Sequence, residues 1–333
     1  MLMSTDLSVR KQHEAVRNTA GWYYFTHHLI EVIGDDAAAV LDKMCTSSIA
    51  SLAVGRERYT MILNKDGIIQ DDIIVFRLEE KKFWVSTLHI NRELSRLAVY
   101  AENHNIQFRR ITEEWDMYAV QGPNSAAFVN SIVADPVDDM KFFSICDTQV
   151  DGIPAKVARS GFTGEKVGYE IYIPVEKTGL VEEKLRANQD RFDAMEIDEI
   201  DVIVYTLSTE KGFVLMSDIH GCNPFEVGMD KNIAFDKEFE GSEALKKLRS
   251  QPCKRKLVGF ILDDNSALVY GGPKGARVIK NGVDVGWATK MTYGVSVGKN
   301  IGFALIETDK ASIGDEVTMN GYRAVLTERS FVK

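Results

Sequence analysis

After Leu248-Arg249-Ser250-Gln251-Pro252 the texture of this chain changes. From Lys256 onward it holds only short β-rich runs: Leu257 to Leu262, Gly275 to Ile279, Asp284 to Thr289, Ile301 to Ile306, Glu316-Val317 and Ala324 to Leu326. Gly-Gly, Asn-Gly and Gly-Tyr turns separate them, and no helical periodicity interrupts. Strands so short bury an apolar face most readily by closing on themselves. The pattern therefore predicts a small C-terminal β-barrel over 253–333, with a boundary near residue 250.

Upstream, strands and helices alternate. Phe25 to Ile33 reads as a strand and Asp35 to Met44 as a helix, with acids at its start and Val40, Leu41 and Met44 at helical spacing. Ile73 to Leu78 and Phe83 to Thr87 are β-rich runs joined by Glu79-Glu80-Lys81-Lys82, the pattern of a β-hairpin. Asn91 to Ala101 reads as a helix. Further strands are expected at Met117 to Gln121, Thr148 to Ala158 and Gly168 to Ile173, with helices at Ala126 to Val133 and Glu176 to Ala187. Mixed sheet and helix with hairpins is an α+β class.

Composition narrows the function. With 49 acidic against 40 basic residues in 333, the net charge is −9, which opposes general nucleic-acid binding through clustered cations. No apolar run approaches the length that spans a bilayer, and Met1 to Val16 lacks the apolar stretch of a secretory signal; a cytoplasmic protein is expected. Cys45, Cys146, Cys222 and Cys253 show no metal-ligand or disulfide spacing, and no metal site is expected.

Two segments could carry chemistry. Asp71-Asp72 stands at the entrance of the first hairpin, and adjacent side chains of a strand point to opposite faces, so one carboxylate turns inward. An inward carboxylate costs several kcal/mol unless paired or protonated. The pattern alone is more simply that of a turn acid beside a surface acid. Ser160-Gly161-Phe162-Thr163-Gly164-Glu165-Lys166-Val167-Gly168-Tyr169-Glu170 combines glycines, which allow close backbone approach, with two carboxylates able to accept from ring N–H groups.

These segments, with Leu63-Asn64, Val120-Gln121-Gly122-Pro123, Asn223-Pro224-Phe225-Glu226-Val227-Gly228-Met229, Phe239-Glu240-Gly241, Lys256-Leu257-Val258-Gly259 and Gly286-Trp287-Ala288-Thr289, resemble in order the glycine cleavage T-protein family of tetrahydrofolate-dependent enzymes. The similarity runs from about His13 to Lys333. It implies a three-domain cloverleaf: two interleaved α+β subdomains forming a folate-binding region over 1–248, then the barrel. By position it implies Asp72 as the catalytic carboxylate with Asp71 its neighbour, and Tyr59, Glu165, Glu170 and Ser86 as cofactor-binding residues for tetrahydrofolate.

Departures point away from the typical member. Ile68 replaces the second of two glycines before the acids, and two arginines are replaced by Val204 and Ser208. Gly21-Trp22-Tyr23-Tyr24 stands where an Asp is usual, so Trp22 and Tyr24 are read as lining an aromatic substrate pocket. The Tyr293-Gly294 to Val297-Gly298-Lys299 phrase looks more like the folate domains of demethylases. The expectation is a divergent member that moves a methyl group from a small N-, O- or S-methylated compound to tetrahydrofolate. The alternatives are an aminomethyltransferase served by a lipoyl carrier protein, and a folate-binding iron–sulfur assembly factor. Lys211-Gly212-Phe213 lacks the Cys of the last group.

Overall fold

A computed structural model describes residues 7–25, 28–263 and 275–332. The expected Gly271-Gly272 turn lies outside them. Helix α1 (Leu7–Asn18) and strand β1 (Ala20–Tyr24) open a first sheet, which the chain then leaves. It builds a second sheet from β2 (His28–Ile33), α2 (Ala37–Met44), β3 (Arg56–Leu63), β4 (Ile69–Glu79), β5 (Lys82–Thr87), α3 (Ile90–Ala101) and β6 (Gln107–Arg110). It returns to the first through β7 (Trp115–Gln121), α4 (Ser125–Asn130), β8 (Ile145–Val150), β9 (Ile153–Ala158), β10 (Gly168–Pro174), α5 (Thr178–Asn188) and β11 (Ala194–Glu196). The strand orders are β11-β1-β7-β10-β9-β8 and β3-β4-β5-β2-β6. Two lobes are thus interleaved along the chain.

Alternation along the strands gives each sheet two working faces. The outer face of the first sheet, with Trp22, Tyr118, Val120 and Ile171, packs with Phe128 and Val129 of α4 and Val181 and Leu185 of α5. The outer face of the second, with Ile62, Val75, Phe83 and Val85, packs with Val40 and Leu41 of α2 and Leu97 of α3. The inner faces meet each other: Tyr23, Met117, Ala119 and Tyr172 pack with Leu29, Ile74, Phe76 and Trp84. The sequence reading of Thr148 to Ala158 as one strand resolves into the β8–β9 hairpin, turned at Asp151-Gly152, both with positive φ.

The connection after β11 runs through π-helical Glu199–Leu207, α6 (Ser208–Glu210), α7 (Met216–Ile219) and α8 (Ser242–Arg249). The last lobe is a closed barrel of β12 (Arg255–Leu262), β13 (Arg277–Lys280), β14 (Val283–Gly294), β15 (Lys299–Glu307), β16 (Glu316–Met319) and β17 (Tyr322–Thr327), in order β12-β15-β14-β13-β16-β17. Leu257, Phe303 and Leu305 of its outer surface seat against Met61, Leu63 and Ile69 of the second sheet. The three-part α+β architecture with a C-terminal barrel is the cloverleaf expected above. No helix among the described residues is long and apolar enough to cross a membrane.

Candidate active site

The β3–β4 hairpin decides what each of the two aspartates does. Its tight turn is held by Asn64, whose Oδ1 accepts from the Asp66 and Ile68 amides at 3.0 Å each, and by Gly67 at φ 78°. Immediately after it the register slips: Leu63 pairs with Ile69, but Ile62 pairs with Asp71. Gln70 is the extra residue of a β-bulge. A one-residue slip sends every following side chain to the opposite face, so Asp72 joins Ile74 and Phe76 on the inner face while Asp71 joins Ile73 and Val75 beneath the helices.

Asp71 is wholly buried and well satisfied. One oxygen accepts from the Thr87 hydroxyl, the other lies 2.9 Å from His89 Nδ1. Asp72 is different. Its Oδ2 accepts from the Tyr59 hydroxyl at 3.0 Å, and it keeps some accessible surface where Asp71 keeps none. Burial and then the Asp71 charge push its carboxyl up to about 6, and burial with the Asp72 charge pushes the Tyr59 phenol higher. A carboxyl poised there exchanges a proton readily near neutrality. Ser86, half-buried, pairs with Ile74 and therefore shares this face.

Across the gap, β10 presents Glu170 on the inner face of the first sheet, beside Ala119 and Ala158. Its oxygens accept from Ser160 Oγ at 2.9 Å and Tyr172 Oη at 2.7 Å, and burial pushes it up to about 7. Glu165 is elsewhere engaged: Arg17 Nη1 donates to it, while Arg17 Nη2 donates to buried Glu210 at 3.2 Å. Glu210 also accepts from the Ser296 amide at 2.7 Å and meets His13 Nε2 at 3.2 Å, tying the barrel to the front lobes. Ser208 donates to the Val204 carbonyl at 2.6 Å. Arg17, which sequence reasoning passed over, is thus the cation serving Glu165 and Glu210.

Trp22 and Tyr24 do not meet these groups. Trp22 is buried in the outer core and donates from Nε1 to Gln189 at 3.1 Å; Tyr24 is exposed and donates to Asp116 at 2.7 Å. Both face the helix-covered side of β1, because Tyr23 takes the inner side. Sequence reasoning also missed Glu57. It lies two residues before Tyr59 on the same face of β3 and is 3 % exposed; neither oxygen has a partner in full hydrogen-bond geometry, the Ser160 hydroxyl that acts on it being bonded to Glu170. The signal was present: an acid at the alternation position of Tyr59. Glu57 and Asp72 stand toward opposite ends of one face of the β3–β4 pair with Tyr59 between them, and Glu170 opposes Glu57 from the first sheet.

The family models place the chain. Residues 3–237 match the GCVT N-terminal domain, and residues 255–333 match the glycine cleavage T-protein C-terminal barrel domain. The aminomethyltransferase of Caldanaerobacter subterraneus subsp. tengcongensis is 30 % identical, covering 98 % of this chain and 88 % of its own. That of Bacillus subtilis is 29 % identical, over 98 % and 90 %. The crystal structure of glycine cleavage system aminomethyltransferase T from Bartonella henselae superposes with a TM-score of 0.86 at 25 % identity, covering all of this chain and 91 % of that one.

These matches overturn the expectation of a divergent member closer to demethylases. Similarity to aminomethyltransferases is spread over the whole length, and the aromatic pair that suggested a methylated substrate packs on the outer face, away from Asp72. With both domains matched and the cloverleaf reproduced, the chain belongs to the glycine cleavage T-protein family, whose members are transferase enzymes of tetrahydrofolate-dependent chemistry.

Proposed function

We infer that the protein is an aminomethyltransferase: it takes the aminomethyl group carried on the lipoyl arm of a partner protein, delivers its carbon to tetrahydrofolate and releases ammonia. The observation that supports this most directly is Asp72, a carboxyl of raised proton affinity, held by Tyr59 on the inner face of the second sheet. Whole-length similarity to aminomethyltransferases supports the choice of donor.

Tetrahydrofolate, when bound, supplies the nitrogen nucleophile that receives the carbon. The chain supplies position and proton traffic. The Tyr59 hydroxyl donates to Oδ2 of Asp72 and thereby fixes the carboxyl's orientation. Asp72 accepts or returns a proton at that carboxyl and, when ionised, stabilises positive charge developing beside it in a site of low dielectric. Asp71, on the other side of β4, keeps a second negative charge close by, which favours the protonated form of Asp72. Glu170 offers acceptors for pterin N–H donors, and Ser86 a hydroxyl on the same face as Tyr59.

The test is ammonia release from an aminomethyl-loaded lipoyl carrier protein in the presence of tetrahydrofolate. Turnover that needs both components is expected. No ammonia from the loaded carrier, with tetrahydrofolate bound, would remove the assignment.

A further inference from the structure

Glu57 is costly where it stands. Its neighbours on the inner face are aromatic: Phe76 pairs with it directly, and Phe76 in turn meets Tyr172 edge-on at 5.8 Å. Neither carboxyl oxygen has a partner in full hydrogen-bond geometry, and the one hydroxyl that acts on it, Ser160, gives its proton to Glu170 at 2.9 Å. Opposed to it is a second acid, Glu170, whose own oxygens accept from Ser160 and Tyr172. Burial first, and then the Glu170 charge, raise the proton affinity of Glu57 well above the ordinary carboxylate range. The cation that acts on it, Arg56, donates from Nη2 to the Phe142 carbonyl at 2.9 Å. A buried acceptor left unmet destabilises a fold by more than a hydrogen bond normally contributes, and an apolar side chain would suit these aromatics better. Such a cost is characteristic of a group whose partner arrives with a ligand.

The place of Glu57 says which part of the ligand that would be. Asp72 is opposite Met61, Tyr59 lies two residues back along β3, and Glu57 two further, all on one face. At ~3.3 Å rise per residue the three form a line of roughly 13 Å between backbone positions, with side-chain reach inward from both ends. A fused two-ring heterocycle whose reacting nitrogen is near Asp72 extends its opposite edge toward Glu57 and Glu170. In a reduced pterin that edge is the aminopyrimidinone, which carries adjacent N–H donors.

We propose that Glu57, acting beside Glu170, accepts the N–H donors of the aminopyrimidinone edge of tetrahydrofolate and so is a specificity-determining residue of the cofactor site. The proposal rests on the reading of Asp72 as the reacting end. It makes Glu57 a residue kept for binding at the expense of the unliganded fold.

The experiment compares the full-length protein with Glu57→Gln, and with Glu57→Leu should the glutamine variant fold poorly. Two ligands are titrated by calorimetry under anaerobic conditions: tetrahydrofolate and its analogue lacking the 2-amino group. Thermal unfolding without ligand is followed at pH 8. The wild type should bind tetrahydrofolate, with a Kd that rises about tenfold in the variant, as expected for loss of a charge-assisted acceptor. Removing the amino group should cost the wild type a similar factor and the variant little, since the two changes delete one interaction. The unliganded variant should melt at a higher temperature than the wild type. If variant and wild type bind tetrahydrofolate equally and discriminate the analogue equally, the proposal is overturned while the cofactor assignment stands. If the wild type does not bind tetrahydrofolate, the functional reading itself falls, and this proposal with it.

Discussion

The barrel interior and the gap between the two sheets are built from the same material, inward-facing residues of alternating strands, but they are filled in opposite ways. Inside the barrel Val258, Phe260, Leu262, Val278, Val285, Ala304, Ile306 and Leu326 form an apolar core, and the buried Lys290 of β14 lies on the other side, over Phe303 and 4.0 Å from Asp218. In the gap, Leu29, Phe76 and Trp84 share the space with Glu57, Glu170, Asp72 and the phenols of Tyr59 and Tyr172. Burying acids beside aromatics lowers stability, so the gap gives up packing energy that the barrel keeps. The contrast separates a lobe with an apolar core from two lobes that hold buried acids between them.

Four variants and a change of pH can break or sharpen that contrast. The largest effect is expected in the gap: Asp72→Asn should lower turnover by about 10²–10⁴-fold, the range of a lost acid–base group. Tetrahydrofolate affinity by calorimetry should change little. Turnover within a few-fold of the wild type would show that the gap's acids do not carry the reaction.

In the barrel the counterpart is Phe260→Ala. Phe260 is fully buried, and its truncation should cost about 3–5 kcal/mol in urea unfolding. The folded fraction should retain the wild-type KM. A large KM change with little loss of stability would mean that the barrel interior also shapes the site.

A third test uses pH. Glu170 and Glu93 are raised from 4.5 to about 7 and Asp72 from 3.8 to about 6, each chiefly by burial. The folded state therefore holds more protons than the unfolded chain between about pH 4 and 7. Stability falls as pH rises across that window, being fully present below the unfolded values and lost above the folded ones. The melting temperature of the unliganded protein should decline from pH 5 to pH 8. Glu93→Gln, which replaces a buried α3 acid whose oxygens lack hydrogen-bond partners, should flatten the slope. A melting temperature rising over that range would contradict the acid-rich interior.

The smallest effect belongs to Asp71. Removing its charge with Asp71→Asn should move the acid limb of the kcat/KM profile to lower pH by roughly half a unit, because a like charge behind the strand no longer favours protonated Asp72. An unmoved limb would mean that the two carboxylates act independently.

Much of the framework could be read directly. The barrel, the Phe83 to Thr87 hairpin partner and the helices α2 and α5 follow from short-range patterns in which apolar spacing and turn residues agree, and the register of the barrel strands depends on the same alternation. Resemblance supplied the interleaving, which no local pattern encodes because β1 and β7 pair across almost a hundred residues. Trp22 and Tyr24 illustrate where reading stopped. Alternation put them on one face, as found, but nothing local says whether that face meets a helix layer or the opposite sheet.

The amino-acid order by itself determined which residue types alternate along β3 and β4, that two adjacent acids must point apart, and that the last eighty or so residues would close as strands. Only the tertiary structure decided that Gln70 forms the bulge, and hence that Asp72 rather than Asp71 enters the gap. It alone brought Glu57 and Glu170 together, although they lie more than a hundred residues apart. The reason is one of range. Side-chain direction along a strand follows from covalent geometry over two residues, whereas register and the pairing of sheet faces minimise the free energy of the whole packed chain.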